Sequence, residues 1–413
     1  MTQKPTQRST HRRLLSLAAT AAVVPLALTA CGGGGDAASG GDVETLTVLD
    51  YYNNEPEKTL WQDAIEACGT EIGVTIQREA MPGADLIQKV LQRASSNTLP
   101  DVLMLDNPDV QEIAQTGGLT PLSQYGVDTS GFADGILEAA TYEGEVYGLG
   151  PVVNTLGLFY NVEMLEEAGI EPPTTWEELK EAAAQLTEGD RYGIGFSAVA
   201  TYEGAWQFLP FMWTNGADET DLTSPEAAEA LELWVDLVDS GSASESVVNW
   251  SQADVKDQFV AGNMAMMVNG PWQIPSLEES DVEYASVQVP VNEEGATPIA
   301  PLGGEVWTVP NTEDEAKQAK AAEFVECISN DENQMAIANA TYKVPTRTDL
   351  IDGYVEDVPS MEAFAEQVRN ARSRTGQLGT EWPATATDIY TGIQLALTGQ
   401  AEPEEAFEQA GQG

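Results

Sequence analysis

The side chains that could take part in chemistry are carboxylates, amides and aromatic rings, because imidazole is almost absent. The only histidine, His11, lies in the first 13 residues, inside a removable leader. The rest of the chain therefore has no Ser-His-Asp or Cys-His nucleophile, no histidine-bound zinc and no imidazole proton relay. The groups that remain suit a hydroxyl-rich ligand, since hydroxyls pair with carboxylates and amides while C–H faces pack on aromatic rings. We predict no metal site and no cofactor.

The N-terminus has the layout of an export signal. Residues 1–13 carry four basic side chains and no acid, and residues 14–30 are uncharged but too short to span a membrane comfortably. The segment ends in Leu-Thr-Ala before Cys31, which looks like the lipobox of bacterial lipoproteins, whose cysteine is alkylated by diacylglycerol. We predict a signal peptide at 1–31, lipidation of Cys31, a flexible tether at 32–43 and a location on the outer face of the cell membrane. The pair Arg12-Arg13 leaves general and twin-arginine export both open.

The chain that follows the leader is strongly acidic. Four of the 18 basic residues lie in 1–31 and none of the 67 acidic ones does, so the remainder carries 14 against 67, a formal charge of −53. Such a surface repels phosphate backbones and anionic lipids, so we predict no nucleic-acid partner and a membrane attachment that depends on the lipid. About 370 residues exceed one typical hydrophobic core, which predicts two domains.

Hydrophobic segments that alternate with helical patterns must position the polar groups. Residues 46–50, 74–76 and 101–105 read as strands, separated by two amphipathic helices, the first of which is predicted to stop at Gly69. Strands that alternate with helices predict a parallel α/β sheet, and ligands of such sheets bind beyond the carboxyl ends of the strands. The loops at 51–55 and 106–109 are therefore candidate binding loops.

Capping signals and glycines place several later elements. Thr175 and Glu178 have capping-box spacing at a helix start, and Ser224 precedes another helix. A buried strand is predicted before Trp272 and another within 301–310. Helices are predicted in the C-terminal third at 314–329, 360–374, 384–398 and 403–410.

Several motifs, taken in order, resemble the extracellular solute-binding proteins of ABC sugar importers, the maltose-binding-protein-like group. They are LFYN (158–161), AGI (168–170), PPTTWEEL (172–179), AMMVNGPW (265–272) and VPTR (344–347). The resemblance runs from about residue 44 to the C-terminus. It implies a type II periplasmic-binding-protein-like α/β fold, in which crossover strands join two lobes that close on a ligand. The lobes it implies are 44–153 with 305–340, and 154–304 with 341–413.

The resemblance also implies which residues face the cleft. The implied ligand-binding residues are Asn53 and Asn54 after the first strand, Asp106 and Asn107 after the third, Asn154 in a crossover, Glu203 and Trp206 before residue 209, the stacking residue Trp272, Gly304 and Glu305 at the next crossover, and Trp382 before a late helix. Position 154 has an acid in maltose binders, and the loop after the third strand lacks their aromatic residue. Maltose itself is therefore not implied.

Cys68 and Cys327 are the cysteines left beside the lipid-bearing one. In an oxidising exterior they predict a disulfide rather than a catalytic thiol. By the resemblance, the helices that carry them both belong to the N-terminal lobe.

The function predicted from the sequence is capture of a mono- or oligosaccharide by a monomeric, non-enzymatic protein that delivers it to the permease subunits of an ABC importer. Two alternatives stay open. One is a secreted glycosidase with Glu203 and Glu305 as acid and base, since glycosidases need no histidine. The other is the same fold with a peptide, polyamine or metal ion as its ligand. The missing histidines and the two lone cysteines disfavour a metal ion, and the mixed composition of the cleft loops disfavours a polyamine.

Overall fold

The computed structural model of the protein describes residues 43–412. The strands are β1 (Thr45–Asp50), β2 (Thr75–Ala80), β3 (Val102–Asp106), β4 (Thr141–Tyr142), β5 (Glu145–Val146), β6 (Gly148–Leu149), β7 (Val152–Val153), β8 (Gly157–Asn161), β9 (Tyr192–Gly195), β10 (Met264–Asn269), β11 (Tyr284–Val287), β12 (Glu305–Thr308) and β13 (Val344–Pro345). The helices are α1 (Glu57–Glu71), α2 (Gly83–Ser95), α3 (Val110–Gln115), α4 (Asp134–Ala139), α5 (Val162–Ala168), α6 (Trp176–Leu186), α7 (Tyr202–Thr214), α8 (Pro225–Asp239), α9 (Gln252–Val260), α10 (Ile274–Glu278), α11 (Glu315–Ile328), α12 (Asp331–Thr341), α13 (Ile351–Asp357), α14 (Glu362–Arg369), α15 (Trp382–Leu397) and α16 (Pro403–Ala410).

Two separate sheets organise these elements. The first has the order β2-β1-β3-β12-β6, in which β1, β2 and β3 are parallel and β12 is antiparallel to β3. The second has the order β11-β8-β10-β9, in which β10 is parallel to β9 and antiparallel to β8. Helices α1 and α11 pack on the first sheet, and α6, α9 and α14 on the second. The predicted mixed α/β architecture is confirmed, and the carboxyl ends of β1 and β3 adjoin each other at one edge.

The chain crosses between the two sheets along paired extended segments. β7 pairs with β13, and next to them Asn154 and Gly303 form a bridge with two backbone hydrogen bonds of 3.2 and 2.8 Å. The hydroxyl of Thr155 donates to the carbonyl of Pro301 at 2.8 Å. These pairings hold the start of β12 against the segment that enters the second sheet.

Local signals in the sequence account for several helix ends. Thr175 and Glu178 form the predicted capping box at the start of α6, and Ser224 caps α8 by accepting from the amide of Ala227. The prediction that Gly69 stops α1 was wrong, because the helix runs to Glu71. A Cβ at Gly69 would lie 2.5 Å from Cγ1 of Ile76, so this glycine lets β2 pack closely on α1.

Cys68 of α1 and Cys327 of α11 are joined by a disulfide with a Cα–Cα distance of 5.8 Å. The amide group of Asn333 at the start of α12 donates to the carbonyl of Cys327 at 2.7 Å, which ties a third helix to this cross-link. Among residues 43–412 no helix is long and apolar enough to cross a bilayer.

Candidate functional site

A cleft between the two sheets contains the polar and aromatic groups with the most suitable chemistry. Its cavity has a volume of about 290 Å³. The residues that line it are Tyr51, Asp106, Asn154, Tyr202, Glu203, Trp206, Gln252, Trp272, Gly303, Gly304, Glu305 and Arg374. They come from the ends of β1 and β3, the crossover segments, the starts of α7, α9 and β12, the loop after β10 and the loop between α14 and α15. The cleft therefore lies where the parallel-sheet rule predicts a ligand.

Most of the residues implied by the resemblance line this cavity. They are Asp106, Asn154, Glu203, Trp206, Trp272, Gly304 and Glu305. The sequence reasoning did not select Tyr51, Tyr202, Gln252 or Arg374.

Four of the implied residues do not line the cavity. Asn107 is fully buried, and its amide nitrogen donates to the carbonyls of Leu302 and Gly304 at 3.2 and 3.0 Å, so it holds the crossover in place. Trp382 is only 2% exposed and packs in the hydrophobic core of the second sheet at the start of α15. Asn53 and Asn54 lie further along the loop after β1, where Tyr51 takes the position that faces the cleft.

Glu305 is held by two residues that are far apart in the sequence, Tyr51 and Lys343. The hydroxyl of Tyr51 donates to its Oε1 at 2.6 Å, and Nζ of Lys343 lies 3.7 Å from the same atom. Its other oxygen, Oε2, is buried and has no partner among the described residues. Burial and the neighbouring Glu305 carboxylate raise the pKa of Tyr51 well above its usual value, so its hydroxyl stays protonated as a donor. Glu305 thus presents one fixed oxygen and one free acceptor.

Arg374 and Asp106 lie beside Glu305, because Asp106 and Glu305 are register partners on the neighbouring strands β3 and β12. Nη2 of Arg374 lies 3.2 Å from Oδ1 of Asp106 and 3.4 Å from Oδ1 of Asn107. The guanidinium also stacks over Trp206, 4.6 Å from the ring centroid. Removal from bulk water raises the pKa of Asp106, and the charge of Arg374 opposes that rise. The stack restrains the plane of Trp206, which is 7% exposed and lines the cavity.

Two adjacent glycines make room for these groups. A Cβ at Gly303 would lie 2.1 Å from Oδ1 of Asn154 and 2.8 Å from Cη2 of Trp206, so any side chain would displace them. Gly304 has a φ of +120°, a backbone conformation that L-residues rarely adopt. The pair is thus required for Asn154 and Trp206 to meet at the start of β12.

Glu203 supplies a third carboxylate from the first turn of α7. Its Oε1 accepts from the backbone amide of Gln252 and from the hydroxyl of Ser197, the latter at 3.4 Å. Burial raises its pKa, and the hydrogen bond from Gln252 opposes this. Because α9 begins at Gln252, this bond ties the two helix starts that face the cavity.

The arrangement can hold a compact polyhydroxylated molecule. Carboxylate and amide groups line the cavity together with the rings of Tyr51, Tyr202, Trp206 and Trp272. Carboxylate oxygens accept from hydroxyls, and the flat rings offer apolar faces to a sugar ring.

The comparisons with known proteins agree with this geometry. The family model described as bacterial extracellular solute-binding protein matches residues 63–366. The chain belongs to this family. The resemblance to solute-binding proteins noted in the motifs is thereby confirmed, and so is the expectation that the chain is a binding protein rather than an enzyme.

Relatives and solved structures of this solute-binding family match along nearly the whole chain. A maltooligosaccharide ABC transporter solute-binding lipoprotein of Streptococcus pneumoniae is 23% identical over 420 residues, covering 95% of this chain and 94% of the relative. The GacH receptor of Streptomyces glaucescens, solved without ligand and with acarbose, is 28% identical with a TM-score of 0.78, covering 90% and 97%. A cyclic alpha-maltosyl-1,6-maltose binding protein from Arthrobacter globiformis is 26% identical with a TM-score of 0.78, also covering 90% and 97%. The two-lobe fold expected from the motifs is confirmed.

Proposed function

We propose that this solute-binding protein captures a small carbohydrate, a mono- or oligosaccharide, and delivers it as a monomer to the permease subunits of an ABC importer. The observation that carries the proposal is the combination, in one cavity of about 290 Å³, of carboxylates that face indole and phenol rings. A neutral sugar uses both kinds of group. Its hydroxyls donate to the carboxylates, and its apolar C–H face packs on the aromatic rings. The relatives that bind maltooligosaccharides and acarbose support the same ligand class.

A melting screen tests this ligand class. We expect one or a few mono- or oligosaccharides to raise the melting temperature of the protein from residue 36 onward, because a ligand that binds only the folded state stabilises it by mass action. The same protein with Trp272→Ala, which lacks one ring of the cavity, serves as the matched control and should respond far less. A shift with a peptide or a polyamine, and with no saccharide, would contradict the proposal and favour the non-sugar alternative.

We further propose that the protein is held on the outer face of the cell membrane by lipid on Cys31. This residue and the rest of 1–42 lie outside the described residues, so the proposal rests on the sequence. We expect Cys31→Ser to abolish lipid labelling and to leave unprocessed precursor or released protein. Ala30→Ser, which keeps a small residue before the cleavage site, is the control. A Cys31→Ser protein that is still cut at the same bond and stays with the membrane would contradict the assignment.

The lobes are proposed to be 44–153 with 305–340, and 154–304 with 341–413, and to close on the ligand. Glu305 and Asp106 lie on the first sheet and Glu203 and Trp272 beside the second, so a ligand that contacts all of them favours the closed state through its differential contacts. We expect the radius of gyration in small-angle scattering to fall when the saccharide found by the screen saturates the protein. Full occupancy with no change in the radius would contradict lobe closure.

A further inference from the structure

A second cavity lies away from the cleft and shares no lining residue with it. Its volume is about 740 Å³, against about 290 Å³ for the cleft. The floor of this groove is β11 with the residues that follow it, and its walls are the segment 173–175, the loop 291–298 and the start of α14. We call it the β11 groove. A cavity of this size can hold a small ligand or a short peptide, and none of its residues takes part in the saccharide site proposed above.

The floor of the β11 groove is the unpaired edge of a sheet. β11 is the outermost strand of the second sheet and pairs only with β8. The amide of Val162 donates to the carbonyl of Glu283, so in this antiparallel register residues 283, 285 and 287 face β8. The peptide groups of Tyr284 and Ser286 therefore point to the open side, where no backbone group of residues 43–412 bonds to them. An open edge of this kind is a template for one more strand.

The lining is apolar inside and acidic at the rim. Pro173, Pro298 and the half-buried residues of β11 form the interior, while four exposed glutamates and no basic residue line the rim. Glu278 accepts from the hydroxyl of Tyr284 and Glu366 pairs with Arg369. Glu294 and Glu362 make no side-chain hydrogen bond or ion pair with another described residue, so their charges are available to a partner.

We propose that the β11 groove binds an extended segment of a partner protein, which adds a strand to β11 and places lysine or arginine side chains against Glu294 and Glu362. Main-chain hydrogen bonds to an edge give such a site its affinity, and alternate side chains give it specificity. A segment of about five residues spans roughly 17 Å and would cover the strand. A second copy of this chain fits poorly, because pairing two β11 edges would bring two acidic rims together on chains that each carry a formal charge of −53 after the leader.

The test uses a short labelled peptide of alternating lysine and valine, with fluorescence anisotropy as the readout on the protein from residue 36 onward. We expect the peptide to bind, and a version with methylated backbone amides on its edge-facing side to bind at least about tenfold more weakly, because charge is kept while ladder bonds are lost. The double variant Glu294→Gln with Glu362→Gln should weaken binding by about tenfold or more. The matched control, Glu143→Gln with Glu145→Gln in the β4–β5 turn, makes the same charge change elsewhere and should leave affinity within about twofold.

Hydrogen exchange locates the bound peptide. Strand addition predicts slower exchange at the amides of Tyr284 and Ser286 when the peptide is bound. Equal loss of affinity in the two double variants, or equal binding of the methylated peptide, would show mere attraction to an acidic surface and would overturn the proposal. So would a concentration-dependent dimer in which the amides of Tyr284 and Ser286 exchange more slowly than in the monomer, because the occupant would then be a second copy. The saccharide melting shift should be the same in both double variants, which separates this proposal from the one on the cleft.

Discussion

Trp272→Ala is expected to weaken saccharide binding by about 2–4 kcal/mol, or roughly 30- to 700-fold. Trp272 is half-buried in the loop after β10 and lines the cavity. A Cβ at Gly270 would lie 2.0 Å from its Cη2 and Cζ3 atoms, so the indole lies flat over the backbone of that glycine. A ring held in this way loses little entropy when a sugar stacks on it, which is why its truncation should cost affinity.

Calorimetry with the saccharide found by the melting screen measures the effect of Trp272→Ala, and a melt of the ligand-free protein measures its stability. Trp176→Ala is the matched control, since Trp176 is also a half-buried indole but donates to the carbonyl of Pro290 outside the cavity. That control should keep the affinity. Trp272→Phe, which retains a flat ring, should fall between the two. Unchanged affinity in Trp272→Ala with a large loss of melting temperature would assign this residue to the core and leave Trp206 as the remaining indole platform.

The parts of the site that the sequence predicted are those placed by sheet geometry. The hydrophobic segment that became β3 ends at Asp106, and a parallel sheet brings such ends to one edge whatever the loops do. Trp272 was predicted on a different ground, because the segment Asn-Gly-Pro-Trp after a buried strand resembles the one that carries the family's sugar-stacking tryptophan. Local pattern is sufficient for Asp106, whereas Trp272 required the family motif.

Arg374 could not be predicted from local pattern. It lies 268 residues from Asp106, in a loop between α14 and α15 that has no periodic signal. Its position results from tertiary packing, through the stack on Trp206 and the bond to Asn107. Tyr51 was missed for a different reason. A tyrosine at the end of a strand can belong to the hydrophobic core as readily as to a binding site. The neighbouring Tyr52 is in fact buried and stacks on Trp61.

Helix boundaries show the same limit. α12 was not predicted, since its residues include few large apolar side chains and its buried apolar residues are Ile337 and Ala338 alone. The predicted helix 360–374 is shorter in the structure, where α14 ends at Arg369 and the chain turns toward the cleft. In α12, tertiary packing stabilises a helix whose own amphipathic pattern is weak. In the other case, α14 ends before Arg374, which lies in the loop that follows and lines the cavity.

Lys343 is the buried cation that connects the cleft to the N-terminal part of the chain. Its side chain is 3% exposed, and its Nζ donates to the hydroxyl of Tyr52 at 2.7 Å and lies 3.0 Å from Glu57 and 3.7 Å from Glu305. Burial alone would lower the pKa of Lys343, but the carboxylates of Glu305 and Glu57 raise it above its usual value, so the amine is charged. Glu305 is 4% exposed and has no other cation within ion-pair distance among the described residues.

Lys343→Met is therefore expected to lower the free energy of unfolding by about 3–5 kcal/mol, because it leaves the Glu305 carboxylate buried without its counter-charge. Urea unfolding at neutral pH measures this. Lys320→Met is the matched control, since Lys320 pairs with Glu323 at a more exposed position and its loss should cost about 1 kcal/mol or less. Adding Glu305→Gln to Lys343→Met should restore part of the stability, since the buried charge is then gone, while saccharide binding should stay weak for want of the carboxylate. If Lys343→Met proved as mild as Lys320→Met, or if Glu305→Gln gave no recovery, Lys343 would not be the residue that stabilises Glu305 in the cleft.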